Sequence, residues 1–383
     1  MSPATTEWLS RVLSPRDPAA FLEHYLAREY FHVARNSPGY YADFFGVGDI
    51  ETILQSEHLP AAFVNVVKDG TKYPLEEWST LATSARGEHR VAIPERLLEL
   101  YADGATLILN QADSTVPSLN AVCRNLSLEM GFRTWANVYI TPRGAAGFSR
   151  HSDDHEVVIL QITGSKRWLL HPADAPAVET GLQAGHLLYV PRGLPHCAQT
   201  QEEDSIHVTV GMRPSYAYEL IGELAALAAD DNEFQQPMPP RFADEGTKEA
   251  FQEVFQCRLQ GLIARTAPSQ LLERRFQSLV DTQARGWPGR FSDIRFLRDI
   301  SPETVVCMRP GILADVRRHG KSLIVAFARK KLEVPAFLEG GLDKVMSGNA
   351  FAVNDIEGLI GSSGKVKFVA AFVRAGLLRI VSI

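Results

Sequence analysis

The chain has 383 residues, 45% of them hydrophobic and 22% charged, the make-up of a globular protein with a sizeable core and room for two or three domains. Its four cysteines, Cys123, Cys197, Cys257 and Cys307, lie far apart without a C-x-x-C pair, which argues against a disulfide framework or a zinc knuckle and fits a reducing cytoplasm. From Arg309 onward 12 Lys/Arg face 6 Asp/Glu (net +6) and before it 27 face 39 (net −12), so an acidic body suited to a basic partner precedes a mildly basic tail.

Charged residues Glu7, Arg11, Arg16, Asp17 and Glu23 leave no apolar signal-peptide core near the start, and no uncharged stretch reaches the length of a membrane helix. Residues 18–28 carry Phe21, Leu22 and Tyr25 at helical spacing. "GYYADFFGVGDIETIL" continues as aromatic-rich helix and turn, and "AAFVNVVKDG" reads as a strand closing in an Asp-Gly turn. Residues 115–132 are again helical in character. Strands then follow closely at 134–141, 155–163, 166–171, 186–190 and 204–212, the spacing of a sandwich or barrel. Within "GHLLYVPRGLPH", Val190-Pro191-Arg192-Gly193 suggests a tight turn with proline second and glycine fourth, after which His196 opens the next strand.

Past Pro214 the character changes to amphipathic helices: "YAYELIGELAALAAD", "TKEAFQEVFQCRLQGLIART" and "PSQLLERRFQSLVDTQAR", with the proline-rich "QQPMPPRF" between the first two. Phe251, Val254, Phe255, Leu259 and Leu262 form an apolar stripe broad enough to predict a homodimer through these helices. From about Asp293 a third region mixes strands, "KSLIVAFAR" and "KVKFVAAFVRAG", with a helix near 336–346.

The chemistry concentrates in "SRHSDDHEVVILQ" and the stretch around His196. His151 and Asp153 stand two apart, so an extended backbone points both to one side. Together with His196 they supply two imidazoles and one carboxylate, the ligand set of non-haem Fe(II) sites with open coordination positions. Catalytic zinc takes similar ligands, but the metalloprotease pattern H-E-x-x-H fails after His155-Glu156. His155, His171, His186 and His207 read as packing or supporting residues. No G-x-G-x-x-G follows a strand and no iron–sulfur cysteine set is present, so another co-reductant is needed. Lys166, if buried, calls for an anion.

"HSDDHEVVILQITGSKRW", "GHLLYVPRGLPH" and "VTVGMR" together resemble the JmjC-type 2-oxoglutarate oxygenases, and within them the ribosomal oxygenases, over roughly residues 20–215. The resemblance implies an α+β protein with a double-stranded β-helix (jelly-roll or cupin) catalytic domain at 1–215, a helical dimerisation region at 216–292 and a winged-helix-like domain at 293–383. It also implies that His151, Asp153 and His196 bind Fe(II) and that Lys166 pairs with the distal carboxylate of 2-oxoglutarate. Asn137 and Tyr139 would line the pocket, with Thr209 near the cosubstrate. Its targets would be His or Arg side chains of a basic ribosomal protein. Family members commonly place tyrosine where this chain has Ser152, and three other readings stand beside the first. They are a hydroxylase of a precursor peptide or small molecule, an N-methyl-lysine demethylase, and a non-catalytic cupin-like binding module. Nucleic acid is not the expected substrate.

Overall fold

Alternating apolar side chains set the first half of the chain into antiparallel sheets. The computed structural model describes residues 7–84, 87–145, 149–200, 202–240, 245–282, 287–358 and 361–383. Two compact units meet in sequence between Pro214 and Ser215. The first contains β1 (Phe31–Val33), β2 (Val64–Lys68), β3 (Thr71–Lys72), β4 (Ser79–Ser84), β5 (Gly87–Ala92), β6 (Thr106–Leu109) and β7 (Arg133–Thr141). It continues with β8 (Glu156–Thr163), β9 (Ser165–Leu170), β10 (Val178–Gln183), β11 (Leu187–Val190), β12 (His196–Thr200) and β13 (Ser205–Arg213). Eight strands join in the order β1-β11-β8-β13-β7-β6-β2-β3, three more as β10-β9-β12, and β4 pairs with β5 as a separate hairpin.

Each central strand serves two cores, because its successive side chains leave opposite faces. Ala136, Val138 and Ile140 of β7 and Val208, Val210 and Met212 of β13 pack into the main core. That core also takes Leu119, Val122 and Leu126 of the helix Pro117–Met130. On the other face, Val157 and Ile159 of β8 meet Trp168 and Leu170 of β9, Leu182 of β10 and Val190 of β11 in a smaller core between the two sheets. Burying these side chains is worth about 1.5–3 kcal/mol each for the large aliphatics, and it leaves a polar space at one end of the intersheet layer.

Two glycines shape the turns at opposite ends of this layer. Gly164 alone carries the chain from β8 to β9 at φ +66°, where a β-carbon would stand 1.7 Å from the Asp204 carbonyl oxygen. The turn after β11 lies one residue later than expected. Leu194 N–H donates to the Pro191 carbonyl at 3.2 Å, so proline is first and Gly193, at φ +82°, third. A left-handed third position is what a type II turn requires, and glycine meets it without a steric penalty.

The second unit opens with the helices Ala217–Ala229, Glu245–Arg265 and Pro268–Thr282. Residues 283–286, the end of the expected helical stretch, and 241–242 of the proline-rich linker lie outside the described residues. After the helix Arg290–Arg295 come β14 (Val305–Met308), β15 (Ala314–His319), β16 (Ser322–Phe327), β17 (Lys330–Pro335), β18 (Phe351–Ala352) and β19 (Leu378–Ser382), forming the sheets β18-β14-β19 and β15-β16-β17. The segment expected as a strand over 365–376 is helical, within Ser362–Ala375. Its β-branched residues suggested a strand, but buried Phe368, Val369, Phe372 and Val373 share one helical face. Gly376 then ends the helix in a left-handed cap, its N–H returning to the carbonyls of Phe372 and Val373.

Candidate metal centre

β7 and β13 build the wall of the site. Their register pairs Tyr139 with His207 and Asn137 with Thr209, all on the face opposite the main core. Across the layer, β9 and β12 contribute Lys166, Trp168, His196 and Ala198. The resulting pocket is closed by Val157 and Ile159 and reaches from His151 and Asp153 at one end to Lys166.

His151 and His196 come from segments 45 residues apart and are tied together by the main chain. His151 N–H donates to the His196 carbonyl at 3.1 Å, and His196 N–H to the His151 carbonyl at 2.8 Å. Their ring centroids stand 4.6 Å apart. Asp153 completes the group: His196 Nε2 lies 3.6 Å from Asp153 Oδ2. One ligand atom from each of the three residues falls within 4.8 Å of the others. The Gly193 N–H donates to the Asp153 carbonyl at 2.9 Å, so the turn also holds the acid's backbone.

Both rings are set for metal binding through the same nitrogen. His151 Nδ1 lies 2.9 Å from the Ser149 carbonyl and His196 Nδ1 lies 2.9 Å from the Leu194 carbonyl. A carbonyl can only accept, so each Nδ1 carries the proton and Nε2 is the ligating atom. Burial lowers the pKa of His196, which favours the neutral ligating form. Two imidazoles and one carboxylate fit a six-coordinate divalent ion with positions left for other ligands.

The inner end of the pocket has the opposite need. Lys166 is 2% exposed, and its Nζ donates to Thr141 Oγ1 at 3.0 Å. Burial alone pulls its pKa down to about 7. His207 is also buried, and burial followed by the Lys166 charge pushes its pKa well below the usual imidazole value. Buried His207 Nδ1 and Trp168 Nε1 have no hydrogen-bond partner among the described residues. Two basic groups and an unpaired indole N–H without an acid among them form a receptor for an anion. A dicarboxylate reaching from the metal to Lys166 meets that requirement.

The other expected residues fall around this axis. Tyr139 lines the pocket and stacks on His207 at 4.7 Å. Burial and then the Asp153 charge push its phenol up to about 12, so the hydroxyl keeps its proton at neutral pH. Thr209 lines the pocket as well. Asn137 sits opposite Thr209 in the strand register but is not among the residues that line the pocket; its Oδ1 accepts from the Gln111 N–H at 2.9 Å. Sequence reasoning passed over Trp168, Thr141 and His207, the last expected only to support or pack. Counting by two along the strands from Lys166, Tyr139 and Thr209 reaches all three. Of the other histidines, His155 pairs with Asp154 at 2.9 Å and His186 with His32 at 3.0 Å, and neither belongs to the three-residue ligand set.

Residues 115–180 and 171–220 match the JmjC domain family. The bifunctional lysine-specific demethylase and histidyl-hydroxylase NO66 of Drosophila willistoni is 29% identical over 231 residues, which are 55% of this chain and 29% of that protein. Ribosomal oxygenase 1 of Gallus gallus is 28% identical over 224 residues, 53% of this chain and 35% of that protein. The chain thus spans 29–35% of the length of these curated relatives. YcfD, a ribosomal oxygenase from Escherichia coli, solved with cobalt and 2-oxoglutarate, aligns with a TM-score of 0.55 at 17% identity, covering 96% of this chain and 99% of that chain. The likeness to YcfD is one of fold.

Proposed function

We propose that this chain, which carries a JmjC domain over residues 115–220, is an Fe(II)- and 2-oxoglutarate-dependent hydroxylase of a protein side chain. The best-supported target is a His or Arg side chain of a basic ribosomal protein. One observation carries the reading: a two-histidine, one-carboxylate cluster opens onto a pocket whose inner end holds a buried lysine without a carboxylate partner among the described residues. Fe(II) held by His151, Asp153 and His196 would, with 2-oxoglutarate, supply the oxidation of a C–H bond by O₂ to C–OH, with release of succinate and carbon dioxide. The residues of the chain prepare that step. Lys166 pairs with the distal carboxylate, and Tyr139 and Thr209 orient the cosubstrate. Val157, Ile159 and Ala198 keep water from the space between.

The finer architecture follows the same reading. The eight- and three-stranded sheets of the first unit correspond to a double-stranded β-helix, the helices between 216 and 292 to a dimerisation region and 293–383 to a winged-helix-like domain. Exposed Ile221, Val254, Phe255, Ile263 and Leu272 on those helices support a homodimer. No described helix is long and apolar enough to cross a membrane. The four cysteines are free, which suits a cytoplasmic location.

Purified protein with iron, 2-oxoglutarate and ascorbate should release succinate and add one oxygen atom to a ribosomal protein, read by mass spectrometry. Oxygen added to a short precursor peptide instead would keep the chemistry and change the substrate. The lysine-specific demethylase named among the relatives supplies a second reading. That reading predicts release of formaldehyde as a methyl group is lost from the substrate. Absence of succinate with every substrate would leave a binding module.

A further inference from the structure

The turn after β11 bonds outward from three consecutive residues. The Arg192 N–H donates to Glu156 Oε2 at 3.2 Å, and the Gly193 N–H donates to the Asp153 carbonyl at 2.9 Å. The Leu194 carbonyl accepts from His196 Nδ1 at 2.9 Å. The last two bonds reach two of the three residues of the ligand set, and the first reaches a carboxylate outside it.

Glu156 is an unusual residue for its place. It opens β8, whose first seven residues are all buried, and it shares the main-core face of that strand with Val158 and Leu160. Its register partner, Met212, packs in the same core. A carboxylate costs more to bury there than the aliphatic side chain the pattern calls for. Two donors offset that cost. One is the Arg192 N–H, and the other is the hydroxyl of fully buried Tyr189 on β11. Tyr189 in turn accepts from the Ala27 N–H at 2.9 Å, and Phe21 packs edge-on against its ring at 5.1 Å. A chain of hydrogen bonds thus runs from the N-terminal segment through Tyr189 and Glu156 to the turn, and the turn passes it to Asp153 and His196.

We propose that Glu156 is a positioning residue for the metal centre: held by Tyr189, its carboxylate fixes the turn that aligns Asp153 and His196. An aliphatic residue would fill the same space but leave the Arg192 N–H without its acceptor, and both ligands would then sample more orientations. Outer partners of this kind set ligand orientation and through it metal affinity. Glu156 does not line the pocket, so it acts through the turn alone. The inference rests on the metal-centre reading.

Co(II) titrated into the full chain, followed by calorimetry and by the visible absorption of the bound ion, reads affinity and ligand geometry without turnover. Glu156→Leu should weaken Co(II) binding about tenfold and alter the absorption bands. Glu156→Gln, whose amide oxygen can accept the same two bonds, should bring both back near the parent. In the metal-free protein, hydrogen exchange at the Arg192 and Gly193 amides should be faster in Glu156→Leu than in the parent. A residue that only supported the core would lower the unfolding midpoint and leave Co(II) affinity and spectrum unaltered, and that result would overturn the proposal. So would a Glu156→Gln protein as weak in Co(II) binding as Glu156→Leu. If Glu156→Leu fails to fold, Tyr189→Phe decides. It removes one of the two donors and should weaken Co(II) binding at least about twofold, the low end for a single hydrogen bond, so unchanged affinity would overturn the proposal. A parent that binds no Co(II) would instead remove the metal centre itself and the proposal with it, which separates the two failures.

Discussion

His151 and His196 exchange two backbone hydrogen bonds, at 3.1 and 2.8 Å, and this bridge brings the H-x-D segment and the strand after the proline–glycine turn to one point. The ligand geometry is thus held by main chain rather than by the ligating side chains. Those side chains can be removed without dismantling the bridge.

Asp153→Ala should therefore fold normally but bind Co(II) or Mn(II) more than tenfold more weakly, because two imidazoles remain without the carboxylate. It should also lose succinate production. Calorimetric metal titration beside circular dichroism checks both. Unchanged metal affinity would remove Asp153 from the ligand set.

Lys166→Ala should raise the 2-oxoglutarate requirement steeply while metal affinity stays near that of the parent. Truncating one partner of a buried charged pair costs about 2–5 kcal/mol, because the carboxylate is left unpaired. The KM for 2-oxoglutarate under saturating iron is the measurement. An unaltered KM would refute the contact.

The same lysine predicts a pH dependence. Its folded pKa is near 7, against 10.5 for an ordinary lysine, so between these values the unfolded chain holds a proton the folded chain has released. Stability of the cosubstrate-free protein should rise with pH across that window, by at most about 1.4 kcal/mol per unit from this group. Below pH 7 both states are protonated and this contribution to the slope vanishes. Lys166→Met should stabilise the protein at pH 7 and flatten the rise. Binding of 2-oxoglutarate at pH 8 should take up a proton as the ammonium reforms, seen as a calorimetric enthalpy that varies with buffer ionisation heat.

In the second unit, buried Arg309 pairs with buried Asp293 and also donates to the Pro288 carbonyl at 2.5 Å. Asp293 Oδ1 accepts from the Ile380 N–H at 3.0 Å, tying the helix Arg290–Arg295 to β19. Arg309→Ala should cost about 3–5 kcal/mol by stranding the carboxylate. Hydrogen exchange should show the loss in residues 290–308 and 376–382. Asp293 and Arg309 replaced together by apolar residues should recover much of it.

The parent should sediment as a dimer at micromolar concentration, and Phe255→Asp and Val254→Asp on the helix Glu245–Arg265 should each give a monomer. Both side chains are more than 40% exposed, so their replacement leaves the subunit core intact. A monomeric parent would refute the assembly.

Local chemistry was legible from the chain. The H-x-D spacing is a short-range pattern of strand alternation; the presence of a proline–glycine turn before His196 was legible too, but its register was not, the turn running Pro191–Leu194 rather than Val190–Gly193. Lys166 was legible as a residue needing an anion, conditional on its burial. The helix Ser362–Ala375 was not, because its run of Val, Phe and Ala suits a strand as well as a buried helix face, and only packing against the core decides between them. The closed end of the pocket was equally hidden. Thr141, Trp168 and His207 are ordinary strand residues until β7, β13 and β9 pair and burial strips them of water. The sequence by itself determined which residues can ligate a metal and which turns present them. The tertiary structure alone decided that a lysine, a histidine and an indole meet without a neutralising acid, because desolvation depends on neighbours distant in the chain.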